Sequence, residues 1–251
     1  DTPGPMTKNV ADNAILLSAM LGKDENDPVT VHAEPGILSV PPQPKPFYEM
    51  RLGAIKELLE NDSIYRATVA NLRNSGATII EFTPPEVVLE GFRTLLSADM
   101  KKDLTAYLTD HSDSNLVKVR SVADVVSFNG EDSLVRIPYG QPLFEGIVAD
   151  TTTAEQLETI KHSLQESGRR FFDTAMDGEK LDAVLSVNNR HAGYAAVAKY
   201  PALTVPMAYK KSGEPVNLTF IGKPFKEAEL LRLGAAYEKA FSVRKMPEGY
   251  D

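Results

Sequence analysis

The sequence predicts an α/β fold, a mixed sheet flanked by helices, and three observations carry that reading. Short β-branched runs bounded by Gly, Pro and polar residues alternate with stretches of helical period. "RLGAI" (51–55) and "ATIIEFT" (77–83) enclose a helical stretch, which makes a β-α-β unit with a parallel crossover. "PALTVPMAY" (201–209) and "PVNLTFIG" (215–222) are separated only by the polar turn "KKSGEP", which makes an antiparallel pair.

The elements follow in order. Pro3-Gly4-Pro5 is a rigid turn, and a helix starts after it with Asn9 as N-cap and Asp12 near the positive end of the dipole. Val10, Ala14, Leu17 and Leu21 recur at helical spacing and Gly22 supplies the stop. A Pro-rich connector, "SVPPQPKPFYEM", leads into the first strand. The crossover helix buries Tyr65, Val69 and Leu72 on one face and ends at Gly76, while Pro84-Pro85 bounds the second strand. Helical stretches cover 87–109 and "SVADVVSFN" (121–129). In "TTAEQLETIKHSLQESGRRFFDTAM", Thr152 with Glu155 fits a capping box, and Leu157, Ile160, Leu164 and Phe171 form the apolar face of a long helix. "LDAVLSV" (181–187) reads as a third strand, Gly213 suits a positive φ in the polar turn, and "EAELLRLGAAYEKAF" closes the pattern as a helix carrying Leu230, Leu233, Tyr237 and Phe241. There is no internal repeat and no low-complexity tract.

Composition bounds the function classes. With 251 residues, 42% hydrophobic and 25% charged, the chain is long enough to bury a substantial core as one large domain or two small ones. A net charge of -8, with no stretch interleaving Lys or Arg with stacking aromatics, opposes a phosphate-binding surface, so nucleic acid is not an expected partner. No apolar run approaches the roughly 18 to 20 residues that span a bilayer, so no membrane span is expected. The absence of Cys removes disulfides, thiolate nucleophiles and zinc–thiolate sites. The compartment is left open: cytosol is the favoured expectation, but a chain that begins partway through a protein would have lost any leader.

A direct search for chemistry finds no complete catalytic constellation. A serine hydrolase needs an exposed hydroxyl, a base within reach and backbone N–H donors for the oxyanion. There is no G-x-S-x-G, no Gly-Gly pair and no Gly-rich phosphate loop. One S-x-x-K spacing, Ser242 to Lys245, sits in a polar tail. His32, His111, His162 and His191 lack ligand spacing and read as surface or loop residues. The acidic turns "KDENDP" (23–28) and "DHSDS" (110–114) lack the periodicity of a calcium loop, so neither a metal nor a cofactor is expected.

Both ends of the chain carry a resemblance. "DTPGPMTKNVADNAILLSAMLGKDENDP" resembles the amidase signature family's D-T-x-G-P-M-x-x-x-V-x-D-A-A-x-L-L followed by G-x-D-x-x-D-P. "LDAVLSVNN", "AKYPALTVPMAY" and "GEPVNLTFIGKPFKEAELLRLGAAYEKA" are similar, in order, to that family's carboxy-terminal strands and final helix. The middle, with "SVADVVSFN" and "IPYGQPLFE", is more similar to the peptide-amidase and aliphatic-amidase branch.

The resemblance implies that residues 1–251 are the carboxy-terminal portion of an amidase-signature domain: part of its mixed sheet, without the amino-terminal catalytic half. The family's Ser nucleophile, bridging Ser and Lys base for linear amide bonds lie upstream of the D-T-x-G-P-M segment, so this chain holds no catalytic residue. On that reading position 1 falls partway through a longer protein. The chain completes the sheet, supplies substrate-pocket walls and is inactive alone. Its implied partners are the missing amino-terminal half and, in the intact protein, a small amide or peptide-amide substrate. Self-association through an unpaired sheet edge is a further expectation. The competing reading is a non-enzymatic binding or interaction module derived from the same fold.

Six residues are candidates for the pocket. Asn188 and Asn189 follow "LDAVLSV" at a strand end, where α/β enzymes place ligand contacts, and two amides offer both donors and acceptors to an amide substrate. The same pair also suits a simple turn, since Asn tolerates left-handed backbone. Arg190 and His191 come next and face either a carboxylate or solvent. Phe128, Tyr139, Gln141 and Phe144 are candidates for an apolar wall with one polar contact, with core or loop packing as the competing reading.

Overall fold

The structure is a computed structural model and describes residues 4–27, 29–30, 38–246 and 249. Positions 1–3, Pro28 and His32, named above, lie outside the described residues. The chain divides into two compact units, one of residues 1–87 with 167–251 and one of residues 88–166.

The first unit opens with α1 (Val10–Met20). Asn9 Oδ1 accepts from the Asp12 N–H at 2.7 Å, the expected cap, and Val10 and Ala14 are buried. After the connector come β1 (Arg51–Ile55), α2 (Lys56–Asn61) and α3 (Ser63–Asn74). Helix α2 was not predicted; Asp62 divides it from α3, its Oδ1 accepting from the N–H groups of Ile64 and Tyr65 at 2.9 Å each. Tyr65, Val69 and Leu72 are buried as expected, and Gly76 at φ +107° carries the chain into β2 (Thr78–Phe82).

The second unit is helical: α4 (Phe92–His111), α5 (Val122–Gly130), α6 (Ser133–Arg136), α7 (Pro142–Ala149) and the first part of α8 (Ala154–Gly178). Ser121 Oγ caps α5 by accepting from the Asp124 N–H. Lys101 Nζ ties α4 to the end of α7 by donating to the carbonyls of Val148 and Asp150. The capping box of α8 lies one residue later than expected. Thr153 Oγ1 accepts from the Gln156 N–H at 3.2 Å and Gln156 Oε1 from the Thr153 N–H at 2.9 Å. The reason is local: Asp150 takes both the N–H and the hydroxyl of Thr152.

Helix α8 continues into the first unit, followed by β3 (Ala183–Val187), α9 (Ala192–Ala198), β4 (Ala202–Tyr209), β5 (Pro215–Ile221) and α10 (Glu227–Ala240). The sheet order is β2-β1-β3-β5-β4; β1 runs parallel to β2 and β3, and β5 runs antiparallel to β3 and β4. Gly213 takes φ +86° in the β4–β5 turn.

Register assigns the two faces. Leu185, Phe220 and Leu203 form one cross-strand row. Phe220 and Leu203 lie under α10, where the Phe220 ring meets Tyr237 at 6.1 Å. A Cβ at Gly234 would come 2.5 Å from the Leu203 side chain, so the helix sits close on the sheet here. The next row, Ser186, Thr219 and Thr204, points to the opposite face because side chains alternate along a strand. Lys45 anchors the Pro-rich connector by donating to Asp182 at 2.8 Å and to Glu229, while Asp182 accepts the Arg51 N–H. Among the described residues no helix is long and apolar enough to cross a membrane.

Candidate functional site

The site is built at the carboxyl end of β3, a strand buried along its whole length. There Asn188 turns the chain at φ +48°, a left-handed conformation that Asn tolerates better than most residues. The turn is stapled to β5. The Asn188 N–H donates to the Asn217 carbonyl at 2.9 Å, and Asn188 Oδ1 accepts from the Asn217 N–H at 2.8 Å and Nδ2 at 3.3 Å. The Asn188 carbonyl accepts from Thr219 Oγ1 at 2.6 Å. Asn189 is exposed, and its carbonyl accepts the Ala192 N–H that opens α9. Arg190 pairs at 2.7 Å with Glu57 on α2, both about half exposed.

His191, read from sequence as a surface or loop residue, is buried. Its Nδ1 lies 2.7 Å from Ser186 Oγ, with Ser186 0% and His191 7% exposed. The ring packs against Phe171 with centroids 5.3 Å apart, and Phe171 in turn stacks on Tyr194 at 4.2 Å. Burial pushes the imidazole pKa down to about 4; the Arg190 charge adds to this and Glu57 opposes it. The ring is therefore neutral at pH 7.

These groups border a concavity of about 430 Å³. Ser186, Asn188, Asn189, His191, Thr204, Asn217 and Thr219 are among the residues that line it, with Thr204 Oγ1 3.0 Å from Thr219 Oγ1. No Asp, Glu, Lys or Arg lines it. Hydroxyls, amides and a neutral imidazole suit an uncharged ligand with both donors and acceptors.

The other four candidates belong to the helical unit. Phe128 lies under the Arg136 guanidinium, 3.6 Å from its ring centroid. Gln141 is held to α5 by the Val126 carbonyl and by Asn129. Tyr139 is 98% exposed and Phe144 is partly buried. Ser242 is exposed and Lys245 rests against Tyr209, its N–H donating to the phenol oxygen, so the S-x-x-K spacing makes no bonded pair. Among the described residues no cluster of His, Asp and Glu is arranged to hold a metal ion.

Sequence reasoning missed Ser186, Thr204, Asn217 and Thr219. A signal was present. Three strands each place one hydroxyl residue between apolar neighbours, as Leu185-Ser186-Val187, Leu203-Thr204-Val205 and Leu218-Thr219-Phe220. Only the register shows that the three hydroxyls form one row.

Comparison with known proteins gives this chain and its fold a family. A family model described as Amidase matches residues 1–186. A probable amidase of Arabidopsis thaliana is 30% identical over 270 residues, covering 99% of this chain and 50% of the relative. An amidase family protein from Bacillus anthracis str. Ames superposes with a TM-score of 0.87 at 30% identity, over 99% of this chain and 50% of that structure. The native peptide amidase from Stenotrophomonas maltophilia superposes with a TM-score of 0.87 at 27% identity, over 100% of this chain and 55% of that structure. The chain belongs to the amidase family, and its helix-flanked mixed sheet is the fold of those relatives. It spans about half the length of the relatives it matches.

Proposed function

We propose that this chain is the carboxy-terminal half of an amide hydrolase, inactive alone, and that the concavity beside the 188–191 turn is a wall of its substrate pocket. The observation that carries the reading is that uncharged concavity at the end of β3, in a chain matched to half the length of its amidase relatives. Hydrolysis of an amide needs nucleophile, base and oxyanion donors held together. The family resemblance assigns the Ser, Ser and Lys to a half outside this sequence. The partner is that amino-terminal half, and the substrate is a small amide or a peptide amide, in keeping with a structural relative that is a peptide amidase.

Asn189 is the residue with which to test the pocket role. Its side chain makes no hydrogen bond among the described residues, whereas Asn188 staples β5 and carries the turn. In the intact hydrolase, Asn189→Ala removes a partner from a partly desolvated polar contact, a loss of about 1 to 3 kcal/mol or roughly 5- to 150-fold in kcat/KM, with the thermal midpoint unchanged. Unaltered kcat/KM together with a lower midpoint makes Asn189 a turn residue and removes it from the pocket.

A further inference from the structure

The buried Ser186–His191 pair is not needed to close the turn, which Asn188 and β5 already hold. Its protons can be assigned from the hydrogen bonds. Among the described residues, His191 Nδ1 is the one partner of the Ser186 hydroxyl. An O–H proton directed elsewhere would be an unpaired buried donor, so Ser186 donates and Nδ1 accepts. The ring proton then sits on Nε2. That nitrogen has no hydrogen-bond partner among the described residues, and none of their enclosed side-chain polar atoms lacks one, so Nε2–H is not sealed off.

The Thr204–Thr219 pair can be assigned in the same way. The single proton of Thr219 goes to the Asn188 carbonyl, which can only accept. Thr204 must therefore donate to Thr219, and it turns only lone pairs toward the concavity. The lining thus holds a donor at His191 and an acceptor at Thr204, each fixed by a buried partner.

We propose that Ser186 and His191 are a positioning pair that fixes this donor–acceptor pattern, so that the concavity takes a carboxamide and refuses the matching carboxylate. A carboxamide supplies a carbonyl for Nε2–H and N–H groups for Thr204. A carboxylate carries acceptors only and sets lone pairs against those of Thr204. The neighbouring charges do not reverse this preference: Arg190 is paired with Glu57, neither lines the concavity, and the imidazole is neutral near pH 7. The inference rests on the reading of the concavity as a substrate-pocket wall.

The test uses the 251-residue chain. Long-range ¹H–¹⁵N spectra of the His191 ring report which nitrogen carries the proton at pH 7. Amide shifts at Asn189, His191, Thr204 and Thr219 report binding of propionamide and of propionate. The expected result is a proton on Nε2 and saturable binding of propionamide at least about 10-fold tighter than that of propionate. Ser186→Ala should mix the tautomers and bring the affinity ratio toward 1, and Ser186→Thr, which keeps the hydroxyl, should restore both. Equal binding of the two probes by the unaltered chain overturns the selection while leaving the pocket reading in place. Binding of neither probe overturns both. If Ser186→Ala fails to fold, the unaltered chain still decides, since a proton on Nδ1 contradicts the assignment.

Discussion

His191 couples the site to pH through stability. Its pKa is about 4 in the folded chain against 6.5 for an ordinary imidazole, so between these values the unfolded state binds more protons. The stabilisation is complete above about pH 6.5 and is lost as pH falls toward 4, up to about 3 kcal/mol. Urea titrations at pH 7 and pH 4.5 should show a smaller loss of stability on acidification for His191→Gln than for the unaltered chain. Equal losses would mean that the ring is not buried as described. Asn188 and Asn189, adjacent in sequence, should separate in experiment. Asn188→Ala breaks the staple to β5 at a left-handed position and lowers the midpoint, whereas Asn189→Ala acts on kcat/KM. The sequence makes the Asn pair visible because two amides after an apolar strand stand out. It hides Ser186 and His191, because a hydroxyl in an apolar run and a solitary His acquire meaning only when strand and helix start are brought within 2.7 Å.

At the scale of elements, close approach decides which glycines are replaceable. A Cβ on Gly168 of α8 would lie 2.6 Å from the Tyr194 carbonyl oxygen and 2.8 Å from the Ala198 nitrogen, backbone atoms that cannot rotate away. Gly168→Ala should therefore cost about 1 to 3 kcal/mol despite the gain in helix propensity, and lower Tm by several degrees. Gly146→Ala in α7 is the control: its Cβ meets nothing within 4 Å, and it should be neutral or stabilising by up to about 1 kcal/mol. A Gly168→Ala variant that melts at or above the unaltered chain would contradict the packing of α8 on α9. The five strands and helices α1, α3, α4, α5, α8 and α10 were legible because their periods are long or their turn residues distinctive, whereas the short helices α6 and α7 were not read. Helix α9 was not, since "AGYAAVA" is small and apolar on every side and has no polar face to set a period. Helix α2 was hidden because Asp62 caps a second helix within one continuous helical pattern. The start of α8 was misplaced by one residue because adjacent threonines compete for the cap and only Asp150 breaks the tie.

For the whole molecule, the sheet of the described residues ends at β4, which pairs only with β5 and exposes Ala202 and Thr204 beside the concavity. An open edge eight residues long invites another strand. The isolated chain should therefore self-associate in sedimentation experiments, with weak hydrogen-exchange protection along the outer edge of β4. A monodisperse monomer with full protection of 183–187 and 202–206 would contradict this. The central claim is that the chain contributes a pocket wall to an amidase whose chemistry resides in another half. It is tested most directly by measuring amide hydrolysis over small and peptide amides. The assay compares the purified 251-residue chain with an uninterrupted polypeptide that continues it upstream. The account predicts no turnover by the chain alone and turnover by the longer polypeptide that Asn189→Ala weakens. Hydrolysis by the chain alone, abolished by Ser242→Ala or Ser186→Ala, would contradict it.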